Sequence, residues 1–236
     1  MGLQHTVDKW TAQSRGSGRG RGGGVGGSGP EVPYIDFDFT TQTYKSNGSV
    51  VDPTDYLTED LTWGPFELAG NVDDTGLLLA PHLDGNTPTL DPVVSADLIS
   101  APFTMVFQFV PSVDPSHDGR VGVEIYTTIA FTSEWYGIFY CEGNAVYGGS
   151  QSLLADTYTE VHTGGWMDEG GFNVAAVTVN PTSMSAALNG GNAMTFNPID
   201  AATVRNAISL FGFGRLRSWK VYKGHKSYAD LIQLTG

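Results

Sequence analysis

Aromatic side chains in polar, glycine-rich segments are the residues of this chain best suited to contact a ligand. Trp166 lies between two glycine pairs in the run HTGGWMDEGG, and Tyr147 precedes two further glycines. Trp135 and Tyr136 are adjacent and provide two more rings. An exposed ring with hydrogen-bonding neighbours can stack on the apolar face of a sugar. The sequence predicts ligand contact at these four positions, and the alternative is that Trp166 closes one end of the fold or packs at a subunit interface.

Carboxylates in predicted loops form a second group with possible chemistry, because calcium prefers oxygen ligands. They are Asp73, Asp74, Asp84, Asp91, Asp114 and Asp118. None of them has the spacing of an EF-hand loop, and the five histidines lack the spacing of zinc ligands. The sequence therefore predicts solvated loops and no cofactor, with a structural calcium ion as the alternative.

A glycine-rich stretch divides the chain near its start. Residues 15–30 read RGSGRGRGGGVGGSGP, and nine of these sixteen residues are glycine. Such a composition behaves as a flexible coil when it is alone. We therefore predict an anchor at residues 1–14, an extended arm or tether at 15–30 and one β-rich domain at 31–236. The predicted anchoring residues are Leu3, Val7, Trp10, Arg15, Arg19 and Arg21.

The charge distribution limits the partners of the body. The chain has a formal net charge of −13, and residues 31–204 contain 23 acidic residues but only two basic ones. Such a surface repels nucleic acid and anionic membranes, so neither is an expected partner of the body. The start of the chain has no apolar signal region, and no run is long enough for a membrane helix. We expect synthesis in a host cytoplasm and no membrane insertion.

Alternation of apolar and polar residues predicts an antiparallel β-protein. Residues 34–39, YIDFDF, place Ile35 and Phe37 on one face and the two aspartates on the other. Further strands are predicted at 76–81, 103–110, 120–133, 134–141, 172–180, 184–189, 193–197 and 210–224. A tight hairpin is predicted at Asn189-Gly190. The clearest helix is 227–234, because Ser227 and Asp230 can form a capping box.

Three segments, in order, resemble concanavalin A-like or laminin-G-like β-sandwich domains, including those of phage fibre and spike proteins. They are APFTMVFQFVPS (101–112), FNVAAVTVNPTSMSAALNGGNAMTF (172–196) and GFGRLRSWKVYKGHKSYADLIQLTG (212–236). They are similar to an early strand, to a hairpin with an Asn-Gly turn, and to the closing strand with its short helix. The resemblance implies an all-β, two-sheet antiparallel jelly roll with one short C-terminal helix.

The predicted last strand departs from simple alternation. In the resembling domains its apolar positions would be Leu216, Trp219, Val221 and Tyr222. Strict alternation would instead place Trp219 and Val221 on the same face as the two arginines before them. A β-bulge near Ser218 would remove the conflict, and without one the two arginines would point toward the core.

The resemblance leaves the activity open, because such domains include carbohydrate binders, protein binders and hydrolases. Glucanases of this fold carry an E-x-D-x-x-E run on one strand, and this chain has none. Glu124, Glu134 and Glu142 are too widely spaced for it, and Glu134 falls in a predicted turn. We therefore predict a protein that is not an enzyme, with a polysaccharide hydrolase or lyase as the alternative.

Together these features predict a structural virion protein of a tailed phage or phage-like particle, in a head or tail spike or fibre. Residues 1–30 would bind other virion proteins, and the sandwich would be displayed at the virion surface for host attachment. Its expected partner is a host-surface carbohydrate, and homo-oligomerisation is expected because the anchor is small. A purely architectural capsid decoration protein is a further alternative.

Overall fold

The computed structural model describes residues 31–58, 66–79, 88–113, 121–129, 132–142, 145–149, 168, 170–180, 183–191, 194–196 and 207–236. All of them except Glu31 belong to the compact unit Val32–Gly236. The predicted anchor and arm, residues 1–30, lie outside the described residues.

Sixteen strands are described, and they alternate with turns in the way that the sequence predicts for an antiparallel protein. The first eight are β1 (Ile35–Asp38), β2 (Thr43–Ser46), β3 (Ser49–Val50), β4 (Leu57–Thr58), β5 (Val72–Asp73), β6 (Gly76–Leu79), β7 (Thr89–Leu90) and β8 (Phe103–Pro111). The others are β9 (Val121–Ile129), β10 (Thr132–Glu142), β11 (Ala145–Gly149), β12 (Asn173–Val179), β13 (Met184–Leu188), β14 (Met194–Phe196), β15 (Ala207–Gly212) and β16 (Gly214–Lys223).

The strands form two antiparallel sheets. Within the described residues, the larger sheet has ten strands, eight of them in the order β14-β13-β12-β8-β16-β1-β2-β3, with β6 also pairing β16 and β5 pairing β6. The smaller sheet has the order β11-β10-β9-β15-β7-β4. Neighbours far apart in sequence pair in both sheets, as expected for a jelly-roll sandwich. The predicted fold class is confirmed.

One hydrophobic core lies between the two sheets. The larger sheet contributes fully buried aromatic residues, among them Phe37, Phe107 and Trp219, while the smaller sheet contributes Ile208 and Leu210. Burial of such side chains is the main favourable contribution to folding. The larger sheet therefore has one face toward this core. We call the opposite face, which points away from the core, the outer face.

The last strand contains the bulge that resolves the conflict in its alternation. The register between β16 and β8 shifts between Leu216 and Ser218, so that Arg217 is the extra residue. Because of this shift, Leu216, Trp219 and Val221 are all completely buried in the core. Arg217 is instead only half-buried, so the bulge keeps its charge out of the apolar interior.

Three helical segments accompany the sheets: a 3₁₀ turn at Pro53–Asp55, α1 (Pro92–Ile99) and α2 (Tyr228–Thr235). The prediction of α2 is confirmed, including its capping box of Ser227 and Asp230. The helix α1 was not predicted, because its apolar residues lack a clear helical period. Asp91 caps it by accepting from the N–H of Val93, and Pro92 occupies the first turn. Neither described helix is long and apolar enough to cross a membrane.

The turn predicted at Glu134 and Trp135 is wrong. Both residues lie within β10, and Glu134 pairs with Thr127 of β9. A glutamate interrupts the apolar run, which suggested a break in the strand. A polar side chain is compatible with a continuous ladder, however, because successive strand residues point to opposite faces.

Candidate functional site

The outer face of the larger sheet is divided into an apolar half and a polar half. The apolar half is covered by α2, where Leu231 packs with Val106, Ala176 and Ala187. A hydrogen bond of 3.0 Å from the N–H of Gly190 to Thr235 Oγ1 joins the end of α2 to the turn between β13 and β14. The helix therefore leaves the neighbouring part of the outer face uncovered.

The uncovered half contains a polar groove of about 250 Å³. Its lining residues come from four adjacent strands and one turn: Asp36, Asp38, Thr41, Thr43, Lys45, Gln108, Ser218 and Lys220. We call this feature the outer-face groove. All eight side chains can donate or accept hydrogen bonds, so the groove suits a polar ligand with many hydrogen-bonding groups.

Strand register places these side chains in two rows across the sheet. In the first row, Gln108 of β8 pairs with Ser218 of β16. Ser218 pairs in turn with Asp38 of β1, and Asp38 with Thr43 of β2. Directly opposite residues on neighbouring strands have Cβ atoms about 4.5–5.5 Å apart. The row thus aligns an amide, two hydroxyls and a carboxylate along one line.

The second row carries alternating charges. Lys220 of β16 pairs with Asp36 of β1, which pairs with Lys45 of β2. The Nζ atom of Lys220 lies 3.4 Å from Oδ1 of Asp36, and both side chains are partly exposed. A partly exposed ion pair contributes little to stability. The ion pair places the Asp36 carboxylate beside the Lys220 ammonium group. Lys45 is then the charged residue at the end of the row.

Asp38 is fixed by local hydrogen bonds. Its Oδ1 accepts from the N–H of Thr40 at 3.0 Å, from the Thr40 hydroxyl at 2.6 Å and from the N–H of Thr41 at 3.1 Å. Partial burial opposes ionisation of this carboxyl, but these hydrogen bonds outweigh it and hold its pKa below the usual value. Asp38 is therefore an ionised acceptor of fixed orientation at neutral pH.

The electrostatics of Asp38 do not suit acid catalysis. A glycosidase needs one carboxylic acid that remains protonated near neutral pH, which requires a raised pKa. The pKa of Asp38 is lowered, so this carboxyl does not meet that requirement.

An aromatic residue lies beside the first row. Phe172 directly precedes β12, and the guanidinium carbon of Arg217 lies 5.4 Å from its ring centroid. Arg217 neighbours Ser218, and Phe172 is 47% exposed. Since Asn173 is opposite the core residue Phe109, alternation places Phe172 on the outer face. The margin of the groove thus combines an exposed ring with a cation.

Three of the four aromatic residues predicted from the sequence lie on the smaller sheet. Trp135 and Tyr136 lie in β10, next to the irregularity of its register with β9, and Tyr147 lies in β11. Both strands belong to the smaller sheet, and their side chains lie outside the described part of the structure. Trp166 is also outside the described residues. Contact of these four residues with a ligand stays a prediction.

Two of the predicted loop carboxylates have structural partners. Asp73 accepts from the N–H and hydroxyl of Thr75 and lies 3.2 Å from the guanidinium of Arg215. Asp91 caps α1. Asp84, Asp114 and Asp118 lie outside the described residues. In the described part of the chain, no group of three or more His, Cys, Asp or Glu side chains is arranged to hold a metal.

The groove residues were missed by the sequence analysis, although one signal for them was present. The alternation in YIDFDF assigned Asp36 and Asp38 to the face opposite the core, which is where they lie. Their partners Gln108, Ser218 and Lys220 are remote in the sequence. Only the pairing of β8, β16 and β1 brings them together.

Comparison with known proteins gives distant structural likenesses. No protein-family model matches the chain, and no curated protein matches it significantly. The CBM40 domain of the Ruminococcus gnavus IT-sialidase, bound to α2,3 sialyllactose, is similar with a TM-score of 0.46 and 13% identity, over 58% of this chain and 83% of that one. Congerin II with lactose and MES gives a TM-score of 0.41 and 13% identity, over 52% and 96%. Chicken galectin 2 is similar with a TM-score of 0.40 and 15% identity, over 50% of this chain and 88% of that one.

Proposed function

We propose that this chain is a glycan-binding protein of a tailed phage or phage-like particle. The outer-face groove binds a host-surface carbohydrate, and residues 1–30 attach the chain to the particle as part of a head or tail spike or fibre. The single observation that supports binding is the groove itself, with its eight polar side chains held on adjacent strands of one sheet.

Sugar hydroxyls act both as donors and as acceptors of hydrogen bonds. The carboxylate of Asp38 can accept from them, the amide of Gln108 can do both, and so can the hydroxyl of Ser218. These groups stand on paired strands, so little conformational entropy is lost when a ligand orders them. Phe172 adds an apolar surface at the margin on which a sugar ring can stack.

Binding without hydrolysis is favoured by the state of the Asp38 carboxylate in the groove. The hydrogen bonds on Asp38 stabilise its ionised form. Asp38 is therefore not prepared to act as a general acid. Release of reducing ends from a bound polysaccharide would contradict this part of the proposal and would favour the hydrolase.

Attachment to a particle is supported by the composition of the first thirty residues. They contain four basic residues and one acidic residue, beside a strongly acidic body. A glycine-rich arm allows close backbone contact with a partner, and many copies on one particle would raise the avidity of weak binding sites. Homo-oligomerisation of the chain belongs to the same proposal.

A glycan array probed with the full chain tests the binding proposal. We expect binding to a defined set of glycans and loss of that binding in Asp38→Asn and Gln108→Ala. The matched controls are Asp55→Asn in the 3₁₀ turn and Gln233→Ala on α2, which are exposed and are not among the residues that line the groove. Binding that persists in both groove variants would overturn the assignment of the groove.

Attachment is tested by deletion of residues 1–14 and quantification of the chain in purified particles. The proposal predicts that the shortened protein is lost from the particles while it still binds the glycan in isolation. Full occupancy of the particles by the shortened protein would contradict the anchor.

A further inference from the structure

Basic residues are concentrated on β16, the strand that lies between β8 and β1 at the centre of the larger sheet. Residues 31–204 have only two basic residues, whereas the ten residues of β16 include Arg215, Arg217, Lys220 and Lys223. A polyanion that approaches the acidic body is repelled by most of its surface. A negative group therefore meets less repulsion near these basic residues than near the acidic remainder of the described body.

Three of these four cations are already paired with carboxylates. Arg215 lies 3.2 Å from Asp73, Lys220 lies 3.4 Å from Asp36, and Lys223 lies 2.6 Å from Asp97. Their charges are therefore largely compensated within the protein. These three side chains therefore do not need a negative charge from a ligand in the groove.

Two cations at the groove differ from these three. Arg217 stacks on Phe172 beside Ser218, and Lys45 lines the groove at the end of the second row. Within the described residues, neither has a carboxylate at ion-pair distance. They lie on two different strands, β2 and β16, so a ligand that extends along the groove toward Phe172 can contact both cations.

We infer that the ligand of the groove is an anionic glycan, a polysaccharide that carries carboxylate or sulfate groups on its sugar rings. This inference rests on the proposed function and specifies its ligand. The planar guanidinium of Arg217 can hold such a group with two parallel hydrogen bonds, and Lys45 attracts a second one as a point charge. Asp38 and Gln108 remain available for the uncharged hydroxyls.

The test measures binding of the full chain to three polysaccharides: polygalacturonate with carboxylates, dextran sulfate with sulfates, and neutral dextran. We expect binding to one or both anionic polymers, no binding to dextran, and a decrease in affinity as salt is raised, because salt screens exposed charges. The two anionic polymers separate carboxylate from sulfate recognition. Since the protein is itself strongly acidic, attraction by its net charge cannot produce this result.

Two variants localise the effect. Arg217→Gln and Lys45→Gln should each weaken binding to the anionic polymer about tenfold, as expected for loss of a hydrogen-bonded charge. Lys223→Gln removes the same charge from the same strand at a site paired with Asp97, and it should leave the affinity unchanged. Thermal unfolding of all three variants checks that they fold. Lys45 lies on β2 and not at the bulge that contains Arg217. If Arg217→Gln is unstable, the affinity of Lys45→Gln decides whether a cation of the groove binds the anionic polymer.

The possible failures are distinct. Equal binding to dextran and to the anionic polymers would overturn the anionic ligand and leave the proposed glycan binding intact. Unchanged affinity in both Arg217→Gln and Lys45→Gln would have the same consequence. Absence of binding to all three polymers also overturns the anionic ligand as stated. The glycan array described above then decides separately whether the chain binds any carbohydrate.

Discussion

At the scale of single residues, Trp219 connects the core with the outer-face groove. Its side chain is completely buried, while its neighbours Ser218 and Lys220 line the groove on the opposite face. The indole N–H has no hydrogen-bond partner in the described structure. An unpaired buried donor opposes folding, so the contribution of this residue to stability comes from the packing of its rings.

This account predicts different costs for two substitutions of Trp219. Trp219→Ala should lower the free energy of unfolding by about 3–5 kcal/mol, because it leaves a cavity in the core. Trp219→Phe should cost clearly less, since it keeps most of the packing and removes the unpaired N–H. Urea unfolding followed by circular dichroism measures both. An equal cost for the two variants would indicate that the indole N–H is bonded after all.

Asp38 provides a prediction on pH. Its pKa is lower in the folded protein than the usual 3.8, despite the opposing effect of partial burial. Its ionised form therefore stabilises the fold fully above the unfolded pKa, and this contribution is lost as pH falls through the folded pKa. Asp38→Asn should cost about 1 kcal/mol near neutral pH, as loss of charge-assisted hydrogen bonds does.

The cost of Asp38→Asn should then shrink as pH falls from the usual pKa of 3.8, where the unfolded carboxyl takes up its proton, through the lower pKa of the folded protein. Unfolding of both proteins between pH 2.5 and 7 measures the difference, with Asp55→Asn as the control. A cost that does not change with pH would mean that the hydrogen bonds of Thr40 and Thr41 do not favour the ionised form.

At the scale of elements, α2 determines how much of the outer face is open. Its first turn is held by Ser227, whose hydroxyl accepts from the N–H of Asp230 at 3.3 Å, while Asp230 accepts from the N–H of Ser227 at 3.0 Å. Ser227→Ala should lower the free energy of unfolding by about 1 kcal/mol, the usual value for loss of such a cap. Ser49→Ala in β3, at an exposed position, should have no measurable effect. Equal stability of the two variants would contradict the role of the cap.

The connection from β15 to β16 carries the chain from the smaller sheet to the larger one. Gly214 at its end has a φ of +147°, and a Cβ atom there would overlap the backbone oxygen of Val110. Gly214→Ala should therefore destabilise by more than the 1–3 kcal/mol or so of backbone strain alone. Gly224 also has a positive φ, of +110°, but open space around it, so Gly224→Ala isolates the strain. If Gly214→Ala and Gly224→Ala lowered the free energy of unfolding by similar amounts, the close approach of Gly214 to Val110 would not matter for stability.

The elements could be predicted from the sequence to different extents. The strand of Ile35 and Phe37, the turn at Asn189 and the bulge near Ser218 follow from local alternation and turn chemistry. The helix α1 was missed because β-branched and apolar residues fill it, although Asp91 and Pro92 are a start signal for a helix. The signal is short, and packing decides whether such a segment forms a helix or a strand.

At the scale of the whole molecule, the groove could not be predicted because it depends on the order of strands in the sheet. Asp38 and Ser218 are 180 positions apart in sequence and yet are opposite each other on neighbouring strands. A single sequence indicates which residues point away from the core but not which strands become neighbours. For the same reason the sequence directed attention to clustered aromatic residues, which lie in the other sheet or outside the described residues.

The division of the outer face into an apolar and a polar half also affects how the whole molecule interacts with its surroundings. The helix α2 covers its apolar half, and the polar half remains accessible beside it. On the proposed particle, which would display many copies, an exposed apolar sheet face would favour aggregation. A polar face can instead be displayed densely, which suits binding by many weak sites.

The most direct test of the central claim is amide chemical-shift mapping by NMR of the full, isotope-labelled chain titrated with a glycan found on the array. The account predicts saturable shifts at residues 36–45, 108 and 217–220, with the Asp38→Asn variant requiring more glycan for the same change. Shifts confined to β10 and β11, where Trp135, Tyr136 and Tyr147 lie, would contradict the groove and restore the site predicted from the sequence.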